Sequence, residues 1–372
     1  MSKHPIDCRL AASALIGLGI ALGPCAALAD APTMPKPVKL SDKPITIAFL
    51  LPENSNVRWD EMDRPAFIKM AKLTDPNVKL IVTNANGSPD TQLNQAQSAI
   101  SNGATVLVVC PTDGKAAASI VSFAARNDVP VISYDRLIQD SKPAYYVSFN
   151  NHQVGVLQGK YIAAHTKPGG TIIMINGAAT DPNAFDFKGG AMSVLQPLVD
   201  AGKLKIGYDV MTPQWSTENA FQEAQQALTK LDDKVDGVLA ANDTTAAGSI
   251  RALQAVGLAG KIPVTGQDAT NGGLTLILEG LQSMSVFKYV PEEAAASAQL
   301  AVAIATGTKP PVHLINAKVN NGKADIPAVL LKPLVVTADT LASSVIKSGY
   351  TKWSDICIDA AANSAACKSA SN

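Results

Sequence analysis

VKLIVTNANGSPDTQLNQAQSAISNGATVLVVC, residues 78–110, is the stretch that decides the fold. It holds two short apolar runs, 78–83 and 105–109, on either side of a longer stretch with helical patterning. Short β-branched runs bounded by turn or polar residues read as buried strands. Between them, Ser88-Pro89 before Asp90 supplies a helix N-cap with proline in the first turn, and Gly103 follows the helix end. Strand, helix and strand in that order predict a parallel crossover, because parallel neighbours need a long connection. Outward from this unit, 45–51 precedes and 129–134 follows as further strands. The cadence then returns with 171–175, 205–211, 237–241 and 263–265, each followed by a helical pattern. The chain therefore reads as an α/β protein built from two similar halves.

Chain order places a first lobe at 44–147 and a second at 148–282. Beyond them lie a strand at 284–287, an Ala-rich helix at about 291–305 and a late strand at 328–336, which suit a chain that crosses back between lobes. On this expectation, about 283–315 returns to the first lobe, about 316–336 to the second, and 337–372 forms a C-terminal helix and tail. Lys3 and Arg9 precede an apolar run, 10–22, that is too short to span a bilayer and ends in small residues. It reads as a secretory signal peptide, 1–29, with Ala27-Leu28-Ala29 as the cleavage signal and a Pro-rich linker at 30–44. The expected destination is the periplasm.

Composition narrows the function. Among 372 residues, Lys+Arg 31 balance Asp+Glu 31, so no broad field draws the chain to nucleic acid. A hydrophobic fraction of 47% argues against disorder. Of five cysteines, Cys8 and Cys25 fall in the signal peptide, Cys110 ends an apolar run as a buried hydrophobe, and Cys357 and Cys367 are close enough to close a local disulfide in an exported tail. The four histidines, His4, His152, His165 and His313, lack metal-ligand spacing, and no hydrolase, zinc-protease or P-loop motif occurs. Neither a metal nor a cofactor is expected.

In open α/β sheets ligands bind beyond the carboxyl ends of the strands. Those positions here carry Arg58 and Trp59 after the first strand, Asp135 and Arg136 after the fourth, Asp181, Asn183, Trp215, Asn242 and Asp268 in the second half, and Lys288 after 284–287. Singly, an Asp or Asn after a strand is a helix N-cap and a Trp is core. Jointly, they offer donors and acceptors for sugar hydroxyls and indoles for the apolar ring faces.

At these residues the sequence resembles the bacterial periplasmic xylose-binding and multiple-sugar-binding proteins. The resemblance rests on Arg58-Trp59, Ala85-Asn86-Gly87, Ser133-Tyr134-Asp135-Arg136, Asn183-Ala184, 190–195, Ala241-Asn242-Asp243, Gly266-Gln267-Asp268-Ala269 and Ser285-Val286-Phe287-Lys288, in order from about Ile45 to Tyr350. It implies two Rossmann-like lobes with parallel sheets, joined by three hinge strands and closing on one monosaccharide, as in type I periplasmic binding proteins. Trp59 and Trp215 then look like a ring sandwich, Asp135, Arg136, Asn183, Asn242 and Asp268 like hydroxyl ligands, Lys288 like a hinge-side contact, and Arg58 like a ligand or an ion-pair partner. The implied partner is the membrane permease of an ABC importer, with a membrane sensor as a second one, and the chain is expected to act as a monomer. An enzyme using Asp135 and Asp268 as a glycosidase pair is the rival from another class. Pro182, Phe185 and Phe187 depart from the relatives and bear on which sugar fits.

Overall fold

A computed structural model describes residues 45–311 and 313–370; the expected signal peptide and linker lie outside them. In chain order the strands are β1 (Thr46–Leu51), β2 (Lys79–Asn84), β3 (Val106–Val109), β4 (Val131–Tyr134), β5 (Tyr145–Phe149), β6 (Gly170–Asn176), β7 (Leu204–Met211), β8 (Gly237–Ala240), β9 (Ser285–Phe287), β10 (Ala317–Asn320), β11 (Asp325–Leu331) and β12 (Leu334–Val336). The principal helices are α1 (Arg64–Thr74), α2 (Pro89–Ser101), α3 (Ala118–Ala125), α4 (Asn151–His165), α5 (Pro182–Asp200), α6 (Thr217–Lys230), α7 (Asp243–Ala255), α8 (Asn271–Leu278) and α9 (Val290–Ala305).

The first sheet runs β10-β11-β5-β4-β3-β1-β2 and is parallel except for β10. Side chains alternate across a strand, and β1 uses both faces. Ile47, Phe49 and Leu51 pack with Phe67, Met70 and the alanines of α9. Ala48 and Leu50 face Ala96, Ile120 and Ala124 of α2 and α3. A strand covered on both sides must be apolar throughout, which is why 45–51 carries no polar alternation. The second sheet is the parallel set β7-β6-β8, extended at its edge by a single bridge between Val238 and Val264.

Several expectations change. The strand expected at 263–265 is reduced to that one bridge, since Pro263 has no N–H to donate and the chain turns at once into the loop carrying Asp268. Strand β5 was not foreseen. Residues 316–331 do not join the second lobe: β11 pairs in parallel with β5, and β10 folds back antiparallel on β11, so both extend the first sheet. Conversely, β9 stays with the second half, pairing antiparallel with β12 and bridging Gln267 through Val286, while α9 packs on the first sheet. Pairing partners distant in sequence decide these memberships, and chain order does not encode them. The chain thus passes between the halves after β5, after β9 and after β11.

The tail is not loose. Cys357 and Cys367 form a disulfide with Cα atoms 5.6 Å apart. Leu341, Val345, Ile356, Ala361 and Cys367 are buried with Leu274 and Ile277 of α8 and with Phe287.

Candidate functional site

The strand-end loops of both lobes converge on one cavity. Its lining contains all ten residues singled out from the sequence: Arg58, Trp59, Asp135, Arg136, Asp181, Asn183, Trp215, Asn242, Asp268 and Lys288. Asn56, Phe187 and Gln267 complete it. Phe185, in contrast, faces solvent at 55% exposure. A second, outer cavity of about 440 Å³ shares Arg136 and Trp215 with the first and reaches Glu53, Asn86, Thr112 and Gln214.

Arg58 is the centre of the charge network. Its guanidinium lies 2.9 Å from Asp63, 3.1 Å from Glu293, 3.1 Å from Asp135 and 3.3 Å from Asp268. Lys288 Nζ stands 3.2 Å from Asp268 and 3.5 Å from Asp135, so the same two cations serve both carboxylates. Asp135 has a positive φ of 56° and its N–H donates to the Val147 carbonyl, which ties this loop to β5. Asn183 Nδ2 reaches across from α5 to the Asp135 carbonyl at 3.0 Å and is itself oriented by Asn151, whose Nδ2 donates to Asn183 Oδ1 at 2.9 Å.

Arg136 joins the lobes differently, pairing with Glu53 at 3.0 Å and with Asp181 at 2.8 Å. Glu53 also accepts from Trp59 Nε1 at 2.6 Å, and Asp181 from Trp215 Nε1 at 3.2 Å. Each indole is therefore pinned by a carboxylate that Arg136 holds in turn. The Trp59 ring also meets the Arg58 guanidinium at 4.4 Å from its centroid, a cation–π contact.

The N-cap reading and the site reading coexist. Asp181 caps α5 with Oδ1 while Oδ2 faces Trp215 and Arg136. Asn242 caps α7 in a reciprocal box with Thr245 and still lines the cavity. Glu53 was not singled out, although it too follows β1; the signal was present in the strand-end rule. Asn56 sits in the same loop, its Nδ2 3.5 Å from Asp268 Oδ2.

Burial and charge set the protonation. Against the cost of burial, Arg58, Lys288 and Arg136 hold Asp135 below the usual carboxylate range. Burial, with Asp135 nearby, pushes Glu293 well above it, and burial likewise raises Asp63 and Asp181 despite their arginine partners. Asp135 and Asp268 raise Lys288 in spite of its burial, so the ammonium is kept. A glycosidase acid needs a carboxyl held neutral opposite the reacting bond. Asp135 is held ionised instead, and with Asp268 it shares two cations.

Contacts also cross the cleft outside the cavity. Ser55 Oγ donates to the Gln214 carbonyl at 2.8 Å, and the Gly114 N–H donates to the Thr180 carbonyl at 3.0 Å.

The model of the periplasmic binding protein domain matches residues 47–309. The sequence is 37% identical to the D-xylose-binding periplasmic protein of Escherichia coli over 84% of this chain and 93% of that one. It is 38% identical to the D-xylose-binding periplasmic protein of Haemophilus influenzae over 79% of this chain and 86% of the other. Among solved structures, a carbohydrate transporter solute-binding protein from Chloroflexus aurantiacus in complex with D-glucose superposes with a TM-score of 0.77 at 32% identity, covering 84% of this chain and 98% of that one.

Proposed function

This chain belongs to the periplasmic binding proteins, as a sugar-binding component of an ABC transporter and not an enzyme, and from that premise we propose that it captures a pentopyranose, xylose first, and delivers it to the importer's permease. The observation that carries the reading is the single cavity in which carboxylates and cations from both lobes converge with two indoles. The ten residues singled out from the sequence are then the sugar ligands: Asp135, Asp181 and Asp268 accept from hydroxyls, Asn183 and Asn242 accept or donate, Arg58, Arg136 and Lys288 donate, and Trp59 and Trp215 cover the ring. Xylose is favoured by the two relatives that carry its name. A hexose is the second reading, supported by the glucose complex of the Chloroflexus protein. Export by cleavage after Ala29 and action as a monomer complete the proposal.

Because ligand groups come from both lobes, sugar stabilises the closed arrangement over an open one and shifts a hinge equilibrium between them. Gly114 tests this without touching the cavity. A Cβ there would lie 2.6 Å from Pro182 Cγ on the opposite lobe and 3.0 Å from the Leu137 carbonyl. Wild-type protein is expected to show a smaller radius of gyration in small-angle scattering with saturating xylose than without it, and Gly114→Val a weaker contraction and a lower affinity. Contraction of the variant identical to wild type would argue against closure along this contact.

A further inference from the structure

Asp243 follows the cavity residue Asn242 and opens α7, yet it is not among the residues lining the cavity. It is 3% exposed, and its carboxylate accepts four hydrogen bonds. Gln282 Nε2 and Ser285 Oγ both donate to Oδ1 at 2.8 Å. The Thr270 N–H and hydroxyl donate to Oδ2 at 2.8 and 3.1 Å. Its own N–H donates to the Gln267 carbonyl at 3.0 Å.

These contacts bracket Asp268. Residue 267 is held from one side by the Asp243 N–H, and residue 270 from the other by its carboxylate. Between them, the Ala269 N–H donates to Ser285 Oγ at 3.0 Å, and Asp243 fixes the orientation of that hydroxyl. The bracketed residues need such support, because Asp268 and Ala269 have φ of 91° and 49°, a region that side chains other than glycine enter only under constraint. Room for the carboxylate comes from two glycines: a Cβ on Gly266 would overlap Oδ1, and one on Gly273 would overlap Oδ2.

We infer that Asp243 is a positioning residue for sugar binding, which holds the strained 267–270 turn so that Asp268 meets Arg58, Lys288 and the ligand in one geometry. This rests on the reading of Asp268 as a sugar ligand. Asp243→Asn keeps one acceptor oxygen and puts an amide donor in place of the other, so either the two Thr270 donors or the Gln282 and Ser285 donors lose their acceptor and the anchor of the turn is weakened while size is kept.

A double-mutant cycle with D-xylose, read by titration calorimetry, separates this role from general support of the fold. Asp243→Asn is expected to weaken binding at least about tenfold in the wild-type background and by no more than about twofold in the Asp268→Ala background. Gly273→Ala, which displaces the same carboxylate, gives the same pattern and replaces Asp243→Asn in the cycle if that variant does not fold. Equal factors in both backgrounds, or unchanged affinity of the variant, would overturn the positioning role and leave the Asp268 site standing. Unchanged affinity of Asp268→Ala itself would instead remove the site, and the inference with it.

Discussion

Arg58→Met is expected to cost the folded protein about 3–5 kcal/mol, the effect of removing one partner from a buried ion network. Arg58 is 1% exposed, and Asp63 and Glu293 beside it are 0% exposed. Without the guanidinium, Asp63, Asp135, Asp268 and Glu293 would share the interior with Lys288 as their nearest remaining cation. Among the described residues, Asp63 would keep only the Tyr134 hydroxyl, which donates to it at 2.6 Å. Burial already raises Asp63 and Glu293 while Arg58 holds them down, so its loss drives both higher still. A carboxyl whose folded pKa lies above its unfolded value binds more protons in the native state, so the variant gains stability relative to wild type as pH falls. Urea unfolding at pH 7 and pH 5 should therefore show a large deficit that shrinks at the lower pH. A deficit below about 1 kcal/mol, or one independent of pH, would contradict this picture of the network.

Asp268→Ala is expected to weaken sugar binding at least about tenfold, or about 1.4 kcal/mol, with the fold retained. Asp268 is the acceptor on which Arg58, Lys288 and Asn56 converge from other segments of the chain. Arg58 and Lys288 keep other carboxylates after truncation, but Asn56 Nδ2 and the sugar hydroxyl that Asp268 would accept are left without an acceptor, and an unpaired buried polar group costs about 1–3 kcal/mol, more than a satisfied one gains. The indoles contribute differently. On the proposed reading they cover ring faces common to all pyranoses and so add affinity with little discrimination, whereas Asp135, Arg136, Asn242, Asp268 and Lys288 are proposed to read individual hydroxyls. Calorimetry of Asp268→Ala should show the loss for every sugar that binds, largest for the preferred one. Unchanged affinity would remove Asp268 from the site.

The cavity was legible in the sequence because its residues follow the one rule that links chain order to space in an α/β sheet: what comes directly after a strand faces the ligand side. That rule brought together Arg58, Asp135, Asp181, Asn242, Asp268 and Lys288 without knowledge of any contact. At β1 the same rule also covers Glu53, the carboxylate that fixes the Trp59 indole and Arg136. Strand pairing was less legible. Nothing in Ala328–Leu331 names Tyr146–Phe149 as its partner, because both are apolar runs that fit either sheet. The tail failed for another reason: Ile356, Ala361 and Cys367 are too sparse to form a periodic pattern, and only their packing on α8 shows that they are core. Asp243 reads in sequence as a polar strand-end residue beside Asn242; its four donors come from residues 27 to 42 positions further on, which chain order does not reveal.

The central claim is that one monosaccharide is held between the two lobes by this cavity. Titration calorimetry of the mature protein against xylose, arabinose, glucose, galactose and ribose tests it most directly. The account predicts saturable binding of one sugar per chain, tightest for xylose. Failure of every monosaccharide in that panel to bind would contradict it.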